Sequence, residues 1–338
     1  MNLKDFGKNL IFLPDATKGA VKFLTTQQLK DTGTQGIVVN TLHLLINLGV
    51  EKMQELGGIK KIMGWDGYVL SDSGGFQIYS LIHSKKWKGK IDENGVTFIS
   101  PKDGSKHILT PESSIDIQLA IGADVLVCLD DCRFSEISKK QAEISVERTL
   151  KWAERCKKHF EKKKLKSKKL LSCVVQGAGY LDLRKMCAKE LAKMNFDGYN
   201  FGGYVVNKEG DLVIDEMEKV LENTPQEKFK YMMGVGKPND IIKCAEIGYT
   251  VFDTVLVTRN ARHGSLYSFD EKDFLMRITN SKYSKDQKPI DSTCDCETCK
   301  NYSRAYINYL LKIKEPTGYT LATIHNLRFY QRLLDTIS

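Results

Sequence analysis

The 338-residue chain has no stretch approaching the roughly 18 to 20 unbroken apolar residues that a membrane-spanning helix needs, which excludes a helical membrane protein. It also lacks the apolar run of a secretory signal. Met1 to Lys8 carries charges among few apolar residues, so the expected location is the cytoplasm. Internal repeats are absent, and no low-complexity linker is evident beyond one lysine-rich stretch. What is present is the composition of a globular protein, 41% hydrophobic and 28% charged, in a chain long enough for a large core with a small appendage. The formal charge of +9 suits a polyanionic partner, nucleic acid being the commonest, although a generally lysine-rich composition produces the same balance. The densest basic run, Lys157 to Lys169, continues a helical pattern set by Val146, Leu150, Trp152 and Ala153. It reads as a solvated helix end and loop rather than a binding patch.

Short apolar runs recur from about Leu10 to Thr258, most of them followed by a helix-like stretch. They are Leu10 to Leu13, Ile37 to Asn40, Tyr68 to Asp72, Val125 to Asp130, Leu170 to Gln176, Gly198 to Gly203, Tyr231 to Gly236 and Val251 to Val257. Near-continuous apolar strands alternating with helices indicate a parallel sheet covered on both faces. Eight such units predict an α/β protein built as a (β/α)8 TIM barrel, with an open doubly wound sheet as the alternative. The expected division is a catalytic barrel over residues 1–280 and a C-terminal zinc-binding subdomain over 281–338, ending in a helix packed on the barrel. Active sites of such barrels lie at the carboxyl ends of the strands. The polar residues there are Asn40, Asp72, Asp130, Gln176, Gly203 and Asp253. Three aspartates at one mouth repel one another and raise each other's pKa, which suits acid and base chemistry. Singly, each could instead cap the following helix.

Two segments carry more. Ser71-Asp72-Ser73-Gly74-Gly75-Phe76-Gln77 places an acid at a strand end, then glycines that let backbone approach a ligand, then a ring on which a flat heterocycle can stack. By itself the motif is weak, and Phe76 could equally belong to the core. Asp253 is followed closely by Arg259 and Arg262, whose guanidinium forks suit phosphates and base edges, or a pair of loop salt bridges.

Of the nine cysteines, Cys128, Cys132, Cys156, Cys173, Cys187 and Cys244 sit in apolar or helical contexts and read as reduced core thiols. Cys294, Cys296 and Cys299 put three thiols within six residues in a polar setting. That spacing suits a tetrahedral soft-metal site better than disulfides, the alternative being reactive or incidental thiols. His325 is the best-placed fourth ligand, following a predicted helix over Ser303 to Lys314, whereas His43, His83 and His107 lie in the barrel region. Four protein ligands would close the site and make a bound Zn2+ structural, one per subunit.

Taken together, SDSGGFQ at Ser71 to Gln77, GVTFISPKDGSKHILTPESSIDIQ at Gly95 to Gln118, VVQGAGYLDLR at Val174 to Arg184 and FDGYNFGG at Phe196 to Gly203 resemble the tRNA-guanine transglycosylase family, of the bacterial or eukaryotic catalytic type. The resemblance continues through YMMGVGKP at Tyr231 to Pro238, TRNARHG at Thr258 to Gly264, CDCETCKNYSRAY at Cys294 to Tyr306 and TIHNLRFY at Thr323 to Tyr330, covering nearly the whole chain. It implies a glycosyltransferase of queuosine biosynthesis that exchanges guanine at the wobble position of G-U-N tRNAs for a 7-deazaguanine base by double displacement. Asp253 matches the nucleophile and Asp72 the general acid/base. Asp130 and Gln176 match residues that read the polar edge of the base, with Gly203 giving a backbone contact at its carbonyl. Phe76 and Met233 match the two faces that sandwich the base, and Arg259 and Arg262 match contacts to the anticodon loop. The resemblance also implies His325 as fourth zinc ligand and a homodimer.

Departures from the family pattern bear on the incoming base. Bacterial members read Gly-Gly-Leu-Ala-Val-Gly-Glu where this chain has Gly202-Gly203-Tyr204-Val205-Val206-Asn207-Lys208. A glutamate that helps to accommodate an aminomethyl group is thus replaced by Lys208, unless Glu209 takes its place, and bulky Tyr204 reshapes the pocket near the 7-substituent. The preferred base stays open among 7-aminomethyl-7-deazaguanine, queuine and a nitrile precursor. Val257 stands for a proline and Asp131 for a glutamate, both expected to be tolerated. The amino terminus is short, and the lack of a long extra carboxyl-terminal RNA-binding domain speaks against the archaeal type. Two other readings remain at this point: a noncatalytic tRNA-binding subunit of a heteromeric enzyme, or a relative that modifies DNA.

Overall fold

The computed structural model describes residues 2–84, 86–133, 137–165 and 169–337. The eight apolar runs form strands β1 (Ile11–Pro14), β2 (Gly36–Asn40), β3 (Tyr68–Asp72), β4 (Val125–Val127), β5 (Leu170–Val175), β6 (Gly198–Phe201), β7 (Phe229–Met232) and β8 (Val251–Thr254). All their ladders are parallel, in the order β1-β8-β7-β6-β5-β4-β3-β2. A parallel bridge between Asp15 and Val38 closes the ring, supported by Ala16 N donating to Val38 O at 2.7 Å. The fold is a TIM barrel.

Strand side chains alternate between two apolar environments. Leu13, Val38, Leu70, Val127, Val174, Tyr231 and Val251 fill the barrel interior, while Phe12, Val39, Val69, Leu126, Val175 and Phe252 pack outward under the helices. The same alternation carries Asp72, Gln176, Met233 and Asp253 inward, two residues beyond Leu70, Val174, Tyr231 and Val251. A turn at Leu3–Asp5 stoppers the amino-terminal end with Phe6, whose ring meets Tyr68 and Phe229 edge-on, each at 5.2 Å between centroids. Gly198 leaves room for this stopper, since a Cβ there would lie 2.1 Å from the Phe229 ring.

The expected limits hold at the polar ends of β2 and β3 and are trimmed from β4 to β8, most at β7, which ends at Met232; β4 ends at Val127 and leaves Asp130 on the following loop. The helix expected over Ser303 to Lys314 spans Arg304–Lys312. The lysine-rich run ends the helix Lys139–Lys162, as its pattern suggested, and its residues 166–168 lie outside the described residues. Two additions were not anticipated. One is a three-stranded antiparallel sheet, Gly89–Asp92, Gly95–Ile99 and Lys106–Leu109, inserted between β3 and β4. It is tied to the Lys139–Lys162 helix by Trp152 Nε1 donating to Glu93 O at 3.0 Å and by Arg155 Nη1 donating to the Glu93 and Asn94 carbonyls at 3.0 and 3.3 Å. The other is a strand pair, Ser265–Tyr267 with Leu275–Arg277.

The chain ends in three helices, Glu297–Asn301, Arg304–Lys312 and Pro316–Ile337. Leu266, Met276, Ile290, Ile307, Leu310 and Leu321 form a small core there, while Leu327, Phe329, Tyr330, Leu333 and Leu334 of the last helix join the main barrel core. Among the described residues, no helix is long and apolar enough to cross a membrane.

Candidate active site and metal centre

A cavity of about 350 Å3 opens at the carboxyl ends of the strands, lined by Asp72, Asp130, Gln176 and Asp253 together with Phe76, Gly203, Tyr204 and Met233. Eight residues anticipated at the mouth are therefore brought to one place. At the end of β3, the Asp72 carboxylate accepts from Asn40 Nδ2 at 2.8 Å, from Gln77 Nε2 at 3.3 Å and from the backbone N–H groups of Gly74 and Thr41. Asn40 and Asp72 are register partners on β2 and β3, so the strand pairing itself sets the closest of these contacts. Burial outweighs the hydrogen bonds and raises the Asp72 pKa to about 7, with repulsion from Asp253 adding to it.

Asp253 accepts from the Tyr231 hydroxyl at 2.7 Å and from Gly234 N–H at 2.8 Å. Both bonds fall on Oδ1, and burial raises its pKa to about 6 despite them, with Asp15 at the end of β1 also raising it. Asp130 accepts from Gln176 Nε2 at 2.7 Å and from Ser73 Oγ at 3.3 Å, and burial raises it to about 6. The anticipated upward shifts are present at all three, with burial the largest cause in each. Gly75 is required beside Asp130, because a Cβ there would stand 2.9 Å from the Asp130 carbonyl oxygen.

Phe76 and Tyr204 stand at the rim, 44% and 39% exposed, with ring centroids 6.4 Å apart in an edge-on arrangement. Arg259 and Arg262 lie on the helix Leu256–Arg262 that follows β8, outside the cavity lining; Arg259 is exposed and Arg262 donates to Thr258 O at 2.8 Å. Lys208 and Glu209 sit on an exposed turn closed by Asn207 N–H to Asp211 O at 2.8 Å. They border a neighbouring cavity rather than the one that holds the aspartates. Asp131 is fully buried and held by Arg133 and Arg148, which accommodates the shorter acid at that position.

Sequence patterning passed over three contributors. Tyr231 sat in an apolar run and read as core. Cys132 is buried like the other five scattered thiols, yet it also lines the cavity. Arg184, on the helix Leu181–Lys193, is 1% exposed and binds Glu216 at 2.6 Å and the Val175 and Gly202 carbonyls. An arginine in the quoted Leu-Asp-Leu-Arg run beside an otherwise polar loop was the available signal.

Away from the mouth, the ligand atoms of Cys294, Cys296, Cys299 and His325 lie within 4.8 Å of one another. His325 Nδ1 is 3.2 Å from Cys299 Sγ and 3.7 Å from Cys296 Sγ. Tetrahedral zinc, with bonds of about 2.0 Å to nitrogen and 2.3 Å to sulfur, separates its ligand atoms by roughly 3.5 to 3.8 Å, so the cluster has the right size for a metal ion. His325 Nε2 meets the Tyr267 carbonyl at 2.5 Å and must donate to it, which leaves Nδ1 with a free lone pair toward the thiols. The residues present therefore fit a metal ion.

Fold and mouth define the protein as a barrel enzyme whose carboxylates gather at the strand ends in a cavity rimmed by Phe76 and Tyr204. The model of the queuine tRNA-ribosyltransferase family matches residues 8–338, and the chain belongs to that family. Proteins named queuine tRNA-ribosyltransferase from Desulforamulus reducens, Thermoanaerobacter sp. (strain X514) and Acinetobacter baylyi are similar to it. They are 40%, 42% and 41% identical over 327 residues, 97% of this chain and 85%, 84% and 83% of theirs. The chain is a glycosyltransferase of the pentosyl-transferring class.

Proposed function

We propose that this enzyme exchanges guanine at the wobble position of G-U-N tRNAs for a 7-substituted 7-deazaguanine, 7-aminomethyl-7-deazaguanine or queuine, through a covalent Asp253–ribose intermediate. The observation that carries the reading is the pair of half-buried carboxylates in one cavity, Asp253 at about 6 and Asp72 at about 7. Between those values Asp253 is ionised while Asp72 holds its proton, the combination a nucleophile and an acid require. Asp253 Oδ2, the oxygen not occupied by Tyr231 and Gly234, attacks the ribose anomeric carbon. The bond to guanine N9 breaks with its electron pair leaving on the base, which takes the Asp72 proton. In the second half the incoming base gives its proton to Asp72, its nitrogen attacks the same carbon, and the ester to Asp253 breaks. Two inversions retain configuration.

Asp130 and Gln176 hold the polar edge of the base, Gly203 N–H meets its carbonyl, and Phe76 and Met233 cover its faces. Buried polar groups of this kind reject adenine, which would leave them unpaired. Tyr204 stands where the 7-substituent passes. Arg259 and Arg262 contact the splayed anticodon loop. Zn2+ held by Cys294, Cys296, Cys299 and His325 would have no open position and would supply structure only. That segment, 281–338, acts as the appendage to a catalytic barrel over 1–280. Two such chains form the homodimer, supported by an exposed ridge of Tyr306, Tyr309 and Ile313 spaced three and four residues apart on the surface of the appendage.

The test is incorporation of labelled guanine into a G-U-N tRNA. Asp253→Ala should abolish both exchange and the denaturation-resistant RNA adduct, and Asp72→Asn should slow exchange by roughly 10² to 10⁴. Retained exchange in Asp253→Ala refutes the assignment of the nucleophile. Tight tRNA binding by the unaltered protein without exchange or adduct would turn the reading toward a noncatalytic subunit, and preference for DNA in competition would change the polymer.

A further inference from the structure

Arg184 does not touch the cavity of the aspartates, yet it reaches the two strand ends that build one side of it. Its side chain is buried at 1% exposure, and Gly177 makes room for it, since a Cβ there would lie 2.9 Å from Arg184 Cβ. Nη1 donates to Val175 O, immediately before Gln176, at 2.5 Å and to Gly202 O at 2.7 Å. Nη2 donates to Glu216 Oε2 at 2.6 Å, from the helix Ile214–Glu222, and the guanidinium lies 4.3 Å from the Phe201 ring centroid. One guanidinium thus joins the ends of β5 and β6 to the helices that follow them.

The peptide between Gly202 and Gly203 is planar and trans, so its C=O and N–H point in opposite directions. Arg184 lines the neighbouring cavity and not that of the aspartates, while Gly203 borders both. Holding Gly202 O on the Arg184 side therefore turns Gly203 N–H toward the aspartates. Gly203 adopts φ +100, a conformation that L side chains rarely take and that glycine reaches freely, so the orientation of its peptide is set by what that peptide bonds. Among the described residues, no acceptor meets Gly203 N–H.

We propose that the buried Arg184–Glu216 pair is a positioning device for base recognition: it orients the Gly202–Gly203 peptide so that its N–H donates to the carbonyl of the bound base, and it holds Gln176 in step. This rests on the transglycosylase reading for the identity of the base. Glu216 fixes the guanidinium in the plane that meets both carbonyls, and a lysine at 184 keeps the charge but lacks the fork.

The experiment uses Glu216→Gln and Arg184→Lys in the full-length protein. Two readouts are taken: guanine-exchange kinetics on tRNA, and amide hydrogen exchange of residues 202–206. Both variants should raise KM for guanine about tenfold while kcat changes less than about threefold and tRNA affinity in a gel shift less than about twofold. Hydrogen exchange over 202–206 should quicken in both. Unchanged guanine KM together with unchanged exchange over 202–206 would overturn the proposal, as would an equal loss of tRNA affinity, which marks a merely structural role. If the unaltered protein does not exchange guanine, the transglycosylase reading fails, and the hydrogen-exchange arm still decides whether the pair holds the peptide. If Glu216→Gln does not fold, Arg184→Lys, which keeps the ion pair, carries the same comparison.

Discussion

Asp130 is buried and Asp72 and Asp253 are half-buried, and the partners of all three at the mouth are neutral: amides, hydroxyls and backbone N–H groups. A cation in contact would favour ionisation and push each pKa down, whereas burial against neutral donors brings them near neutrality, where protons are exchanged most readily. A pH dependence follows. On the proposed mechanism, Asp253 takes up a proton below about 6 and loses its nucleophilicity, and Asp72 loses above about 7 the proton it would give to the departing base. The kcat/KM for tRNA should therefore form a narrow bell with limbs near those values, and Asp72→Asn should remove the alkaline limb from its residual activity. A flat profile from pH 5 to 8 would refute the division of roles. The three aspartates were legible in the sequence because each breaks or ends an apolar run, and the alternation of strand side chains turns Asp72 and Asp253 inward. Tyr231 and Arg184 were not, because a tyrosine inside an apolar run reads as core and an arginine on a helix reads as surface charge. Only the tertiary structure shows which carbonyls and carboxylates they meet.

At the level of elements, the eight barrel strands were legible because each is buried on both faces, which leaves a near-continuous apolar run. The inserted sheet was not. Its first strand, Gly89–Asp92, is half exposed, and its glycine, lysine and aspartate carry no strand signal of their own. The turn at Leu3–Asp5 was equally silent, although it delivers Phe6 to the barrel floor against Tyr68 and Phe229. That single ring covers the end of the barrel opposite the active site, so its loss should be felt in stability and not in chemistry. Phe6→Ala is expected to destabilise by about 3 kcal/mol, the lower range for a buried phenylalanine because this one sits at the edge of the core. Thermal unfolding should begin several degrees lower, with guanine exchange at 25 °C within about twofold of the unaltered enzyme. An unchanged melting midpoint would mean that the neighbouring rings collapse into the space.

For the whole molecule, the metal centre and the barrel are coupled through one helix. His325 lies midway along Pro316–Ile337, with Ile324 packed beside the thiols and Phe329 and Tyr330 in the barrel core. The Tyr330 ring lies tilted against Phe12 of β1 at 4.7 Å between centroids, its hydroxyl hydrogen-bonds the Gly236 carbonyl beyond β7, and His325 itself holds Tyr267. The cluster was legible from thiol spacing, but the distance over which the last helix serves the barrel was not, because that depends on contacts between residues some 300 positions apart. An ion at this centre fixes His325, which fixes the helix, which covers the seam where β1 meets β8 and its Asp253. Cys299→Ser, or removal of the ion by a chelator, should therefore lower the thermal midpoint by roughly 5 °C or more, since ion binding and folding of such a centre are one equilibrium. The proposed homodimer, followed by light scattering, and tRNA affinity should weaken by about tenfold or more, because the ridge of Tyr306, Tyr309 and Ile313 rides on the same appendage. The chemical step, measured in a single turnover on tRNA already bound, should stay within about threefold, since the ion touches none of the groups that exchange protons or attack the ribose. A folded, metal-free variant that dimerises and binds tRNA normally but forms no adduct would place the ion in the chemistry and overturn this division.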